Sequence, residues 1–109
     1  MDRTVMREIV QNTLKSWAEF LPVSAQLQNV LVFDTDRDHY VFSRVGWEDG
    51  QHVNRIVIHL AIQDEKIWVH TDNTETGVVT DLIERGMTPD AIVMAFRPAW
   101  RRELSLASD

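Results

Sequence analysis

Residues 40–70, YVFSRVGWEDGQHVNRIVIHLAIQDEKIWVH, decide the fold. Asp49-Gly50 is a favoured two-residue hairpin turn, because both residues tolerate a left-handed backbone. It sets Trp47 opposite His52, Val45 opposite Asn54, Ser43 opposite Ile56 and Val41 opposite Ile58. Asp64-Glu65 closes a second hairpin and pairs Ile62 with Ile67, Leu60 with Val69, and His59 with His70. The two registers agree. Side chains alternate across a strand, so Val41, Val45, Ile56, Ile58, Leu60, Ile62, Ile67 and Val69 share one apolar face, expected to be the core.

The opposite face collects Tyr40, Phe42, Arg44, Arg55, Val57, His59, Ala61, Trp68 and His70. In this register Arg44 lies across from Arg55, and Tyr40, His59 and His70 form a row over three strands. Like charges directly opposite are unfavourable unless an acid or a ligand answers them. A mixed aromatic and cationic face with little Lys or Glu has the composition of an interface. Tyr40, Phe42, Arg44, Arg55, His59, Trp68 and His70 are therefore the candidate interaction face. The same row could meet its copy across a two-fold axis, the commonest oligomer symmetry, so a homodimer is a further expectation.

Upstream, Val5, Ile9, Val10, Leu14, Trp17, Ala18 and Leu21 recur at spacings of three and four, one face of a helix. Asp2 or Thr4 caps its start and Pro22 ends it. Val30-Leu31-Val32-Phe33 is a short apolar strand that stops in the acidic turn Asp34 to Asp38. Downstream, Thr74 or Thr76 caps a second helix carrying Val78, Val79, Leu82 and Ile83, and Gly86 sits where a helix end favours a left-handed residue. Thr88-Pro89-Asp90 reads as a turn and Ile92 to Phe96 as a last strand. The tail over 97–109 is basic and aromatic, then polar, with Trp100, Arg101 and Arg102 as candidate contacts. The order α-β-β-β-β-α-β predicts one α+β domain over 1–109, an N-terminal helix on a mostly antiparallel sheet of four to five strands, with a second helix.

Composition narrows the chemistry. The 109 residues include no cysteine, which excludes disulfides, thiol catalysis and cysteine-rich zinc sites. No apolar run reaches the length of a membrane span or a signal stretch, so the expectation is a cytoplasmic protein with no membrane contact. A net charge of −6 opposes tight, non-specific nucleic-acid binding, which depends on neutralising phosphates.

No constellation reaches a catalytic motif. Asp34, Asp36 and Asp38 imitate the first ligands of a calcium loop, but the loop's glycine would fall on His39 and its glutamate on Val45. Those carboxylates are better read as capping backbone amides or pairing with Arg37. His59 and His70 could share a metal, yet two ligands are too few, and His39 and His52 point to the core side in this register. Asp64-Glu65-Lys66 has the acid-x-lysine spacing of metal-dependent nucleases, but in a hairpin turn solvent exposure selects the same residues. There is no glycine-flanked serine elbow and no phosphate loop. Trp17 lies on the helical stripe and Trp47 closes a hairpin, so both read as packing, whereas Trp68 and Trp100 are better placed for an interface. The expectation is no catalytic residue, no metal and no cofactor.

Phe33-Asp34-x-x-Arg37-Asp38-His39-Tyr40, Gly46-Trp47, Val57-Ile58-His59, Lys66-Ile67-Trp68-Val69, Asp72-x-Thr74-Glu75-x-Gly77, and Ile92-Val93 before Phe96 together resemble the XisI family, the fdxN-element excision controlling factors of cyanobacteria. The likeness runs from the first helix to Arg101. Two departures stand out: Glu65-Lys66 replaces the family's usual Gly-Lys, and the tail ends polar rather than aromatic. The resemblance implies a non-catalytic accessory protein for programmed DNA excision. It implies action with a site-specific recombinase and a nuclease-like companion, XisH, and it carries no catalytic residues over. Direct DNA binding through Arg101 and Arg102 is the alternative, and a metal-dependent nuclease the least favoured.

Overall fold

Asp49 and Gly50 adopt φ 53° and 78°, and Asp64 and Glu65 adopt 54° and 59°, so both hairpin turns form where the turn residues place them. Around them the computed structural model, which describes residues 1–98 and 100, lays out α1 (Arg3–Phe20), β1 (Leu27–Asp34), β2 (His39–Glu48), β3 (Gln51–Gln63) and β4 (Lys66–Asp72). These lead to α2 (Val78–Glu84), a 3-10 turn (Pro89–Ala91) and β5 (Ile92–Met94). The five strands form one sheet in sequence order, antiparallel except for the β4–β5 pair. This is the expected α+β architecture, at the five-stranded end of the range. Both helices cover one side of the sheet, and among the described residues the other side carries no helix.

The hairpin registers hold near the turns and slip away from them. Trp47 pairs with His52, Arg44 with Arg55, Ser43 with Ile56, Ile62 with Ile67 and Leu60 with Val69, as expected. Beyond Ser43 a bulge leaves Val57 unpaired, so Phe42, not Val41, faces Ile58. A second bulge leaves His70 extra in β4, so His59 faces Thr71 rather than His70. One added residue turns every later side chain to the other side. Tyr40 and Phe42 are fully buried under α1 with Ile58, Leu60, Ile62, Ile67 and Val69. Val41, Val45 and Ile56, expected in the core, instead lie on the helix-free side, where Ile56 is exposed.

The helix stripe falls where its spacing puts it, apart from Val5. Met6, Ile9, Val10, Thr13 and Leu14 are buried, Trp17, Ala18 and Leu21 pack at the edge, and Val5 faces solvent. Thr13 joins the core because its hydroxyl donates to the Ile9 carbonyl at 2.7 Å, leaving no orphaned polar atom. Asp2 caps the helix by accepting from the Thr4 amide.

Polar side chains lock the ends of these elements. Asp38 adopts φ 57° and accepts from Arg7 Nε and Nη2 at 2.8 and 3.2 Å and from the Tyr40 hydroxyl at 2.8 Å, tying α1 to the β1–β2 turn. Asp34 caps the amides of Asp36 and Arg37 and pairs with the Arg37 guanidinium. Asp72 takes the start of α2: its carboxylate accepts from the Thr74 amide and hydroxyl and from the Val78 amide, while Thr74 Oγ1 accepts from the Gly77 amide. The cap of α2 is therefore Asp72 with Thr74, and Thr76 has no part in it. Gly86 at φ 113° closes α2, with Gly86 and Met87 amides donating to the carbonyls of Ile83 and Leu82. The last strand is shorter than expected, and Phe96 lies beyond it, exposed.

Candidate functional site

Alternation along the bulged strands decides which candidate residues can meet a partner. The expected face divides between the two sides of the sheet. Tyr40, Phe42 and Arg44 point to the helix side and are buried; Arg55 shares that side but stands exposed where the helices no longer reach. His59, Trp68 and His70 point to the helix-free side. Tyr40 and Phe42 are thus core residues, which corrects their assignment to an interaction face.

The helix-free side is apolar at its centre. Val30, Val32, Val41, Val45, Trp47 and Ile56 contribute aliphatic and aromatic surface, with Val32, Trp47 and Ile56 55%, 54% and 42% exposed. Charge is confined to its ends, at Asp34 and Lys66. Trp68 lies between Ala61 and Val93 in the pairing, and its indole N–H donates to the Gln63 carbonyl at 3.1 Å. At the opposite corner Trp47 and His52 meet edge to face, with centroids 5.2 Å apart.

A histidine cluster sits in this face. The row expected from Tyr40 through His59 to His70 instead begins at His39. His39 Nδ1 and His59 Nε2 are 2.9 Å apart, and the His59 and His70 rings have centroids 4.8 Å apart. The His39 and His70 rings stack at 6.0 Å, which makes one contiguous group. Burial, then the neighbouring histidines, pushes the pKa of His59 below its ordinary value, and burial followed by His39 does the same to His70. A nitrogen–nitrogen hydrogen bond needs one proton and one lone pair, so one of the facing nitrogens of His39 and His59 carries no proton. Among the described residues, no group of three or more His, Asp or Glu side chains is placed to hold a metal ion.

His39 escaped the sequence reading because it was placed one residue out of phase. A signal was present in Ile56-Val57-Ile58, three consecutive apolar residues, though Leu60-Ala61-Ile62 in the same strand gives the same pattern without a bulge in its pairing with β2. Asp64 and Glu65 occupy the β3–β4 turn and belong to no group of three or more potential metal ligands among the described residues. Trp100 is exposed, and Arg101 and Arg102 lie outside the described residues. No described helix is long and apolar enough to cross a membrane.

On the helix side, the open end of the sheet forms a cleft of about 530 Å³ beside the C-terminal end of α1. Trp17, Phe20, Arg44, Arg55 and the loop from Asn73 to Thr76 line it.

The XisI protein family model matches residues 1–106, and the chain belongs to that family. The fold is shared with a XisI-like protein from Anabaena variabilis, at 29% identity, 89% coverage of each chain and a TM-score of 0.83. It is shared also with the fdxN element excision controlling factor XisI of the same organism, at 27% identity, 91% and 96% coverage and a TM-score of 0.74. No functionally curated protein matches the chain.

Proposed function

We propose that this XisI-family chain is a non-catalytic accessory factor in the control of fdxN-type DNA excision, working in the cytoplasm by binding a companion protein through the helix-free face of its sheet. The family and the excision controlling factor it resembles support the process. The observation that carries the mode of action is the face itself: valines, an isoleucine, two tryptophans and a histidine cluster, with Asp and Lys only at its ends. Interface cores have that composition, depleted of charge and enriched in aromatic side chains. The companion is the nuclease-like XisH-type factor. A chain of net charge −6 is suited to a partner with a basic, nucleic-acid-binding surface, which would make this an inhibitor or chaperone of it.

Co-expression with the XisH-type protein from the same genome tests this reading. The wild-type chain should co-purify with it. Val32→Glu and Ile56→Lys, both at exposed positions, should each abolish co-purification while leaving the circular dichroism spectrum intact. Retention of the companion by both variants refutes the proposed face. Capture of DNA in place of the companion, lost steeply with added salt, would favour direct DNA binding.

A further inference from the structure

We propose that the cleft at the open end of the sheet binds a small organic oxyanion, a phosphate or carboxylate carried on a flat, apolar body. The case begins with Arg44, which is only 7% exposed yet has no described carboxylate within ion-pairing distance. Its guanidinium donates to two neutral oxygens, Asn29 Oδ1 at 2.9 Å and the Pro22 carbonyl at 2.8 Å. Asn29 in turn donates to the carbonyls of Ala18 and Leu21 at 2.8 and 2.9 Å, so the guanidinium is held rigidly against the C-terminal end of α1. Those contacts orient the cation and use two of its five N–H donors.

Arg55 adds a second cation. It pairs directly with Arg44 across the β2–β3 ladder, on the same side of the sheet, and makes no ion pair or hydrogen bond among the described residues. Two like charges facing each other on adjacent strands repel, and a bound anion removes that cost. Glu75 also borders the cleft but lies outside ion-pairing distance of both arginines.

The rest of the wall is aromatic. Trp17 and Phe20 meet edge to face with centroids 5.7 Å apart. The Trp17 indole is fixed by donating to Asp81 at 2.7 Å, while Phe20 is 74% exposed. One fixed cation with a second beside it, next to a flat apolar wall in a volume within the range of small-molecule sites, matches a ligand with one oxyanion and one planar body. The site is on the opposite side of the sheet from the companion-binding face, so it stands or falls independently.

Adenosine 5′-monophosphate and indole-3-acetate serve as the phosphate and carboxylate probes, with adenosine as the uncharged control. Each is titrated into the full chain while the indole N–H resonance of Trp17 is followed by NMR, its assignment made by Trp17→Phe. At least one anion should bind with a Kd at or below about 1 mM and shift that resonance. Arg55→Gln, at an exposed position, should weaken the binding at least about tenfold, the loss expected for one charge-assisted contact. The anion that binds identifies the group recognised. No shift from either anion, equal binding by Arg55→Gln, or equal binding of adenosine overturns the proposal.

Discussion

Replacing Asp38 tests whether the family's Arg37-Asp38-His39-Tyr40 signature is a structural latch. In Asp38→Ala the Tyr40 hydroxyl, buried completely, loses its carboxylate acceptor at 2.8 Å. An orphaned buried hydroxyl costs about 1–3 kcal/mol. Alanine must also adopt the left-handed backbone at φ 57°, which aspartate tolerates and which costs alanine about 1 kcal/mol more. The variant should therefore lose about 2–4 kcal/mol in urea unfolding followed by circular dichroism at pH 7. Asp38→Asn retains both the backbone tolerance and one acceptor oxygen, so it should lose about 1–2 kcal/mol.

A double-mutant cycle sharpens the test. Tyr40→Phe should destabilise the wild-type chain but relieve part of the loss in Asp38→Ala, because it removes the orphaned hydroxyl. The Arg7 hydrogen bond, the largest influence, holds the Asp38 carboxyl below its ordinary pKa. A depressed folded-state pKa gives stability that is present above the unfolded value, near 3.9, and lost as pH falls through the folded one. Asp38→Asn should remove that acid dependence. A loss below about 1 kcal/mol in Asp38→Ala, or no coupling to Tyr40→Phe, refutes the latch.

Three further outcomes are expected. Gly46 has φ 142°, and a Cβ there would run into the Gln26 carbonyl, which also accepts from the Trp47 amide at 2.8 Å; Gly46→Ala should lose about 2–4 kcal/mol by thermal or urea unfolding. Glu65 holds φ 59° in the β3–β4 turn, so Glu65→Gly, the residue usual in the family, should raise stability by up to about 1 kcal/mol, and a loss would contradict the turn geometry. Because His59 and His70 have lowered folded-state pKa values, the unfolded chain binds more protons below pH 6.5, and stability should fall as pH drops from about 7 to 5. Melting temperatures across that range should show the fall in wild type and a shallower one in His59→Gln.

How far the sequence could be read depends on where local chemistry ends. The turns at Asp49-Gly50 and Asp64-Glu65 are dictated by the residues in them, and every pair within four positions of each turn follows from them. Strand order, helix placement and the apolar row from Ile58 to Val69 are legible for the same reason. A bulge, however, is set by tertiary packing. Val57 is buried in the same core as Tyr40 and Phe42. Strict alternation cannot report that, and a single extra residue moved Tyr40, Phe42 and Val41 to the wrong side at once.

The same slip explains why the two candidate sites were fused into one. The sequence places Arg44, Arg55, His59 and His70 on a single face, and the bulges separate them onto opposite sides of the sheet. The arginines fall where the helices no longer cover the inner side, and the histidines fall where no helix ever reaches. An interface needs a broad surface with little charge, while an anion site needs fixed cations in a confined space. One mixed face satisfies neither requirement well; two separated ones satisfy each. The bulge at Val57 is thus what puts the two arginines and the histidine cluster on opposite sides of this small, cysteine-free domain. Removing Val57 should take out the bulge while keeping Phe42 opposite Ile58, so His59 stays on the helix-free side. It would also take a buried valine out of the core, so the deletion should destabilise the domain without moving the histidines. A folded deletion variant in which His59 no longer lies beside His39 would refute this register.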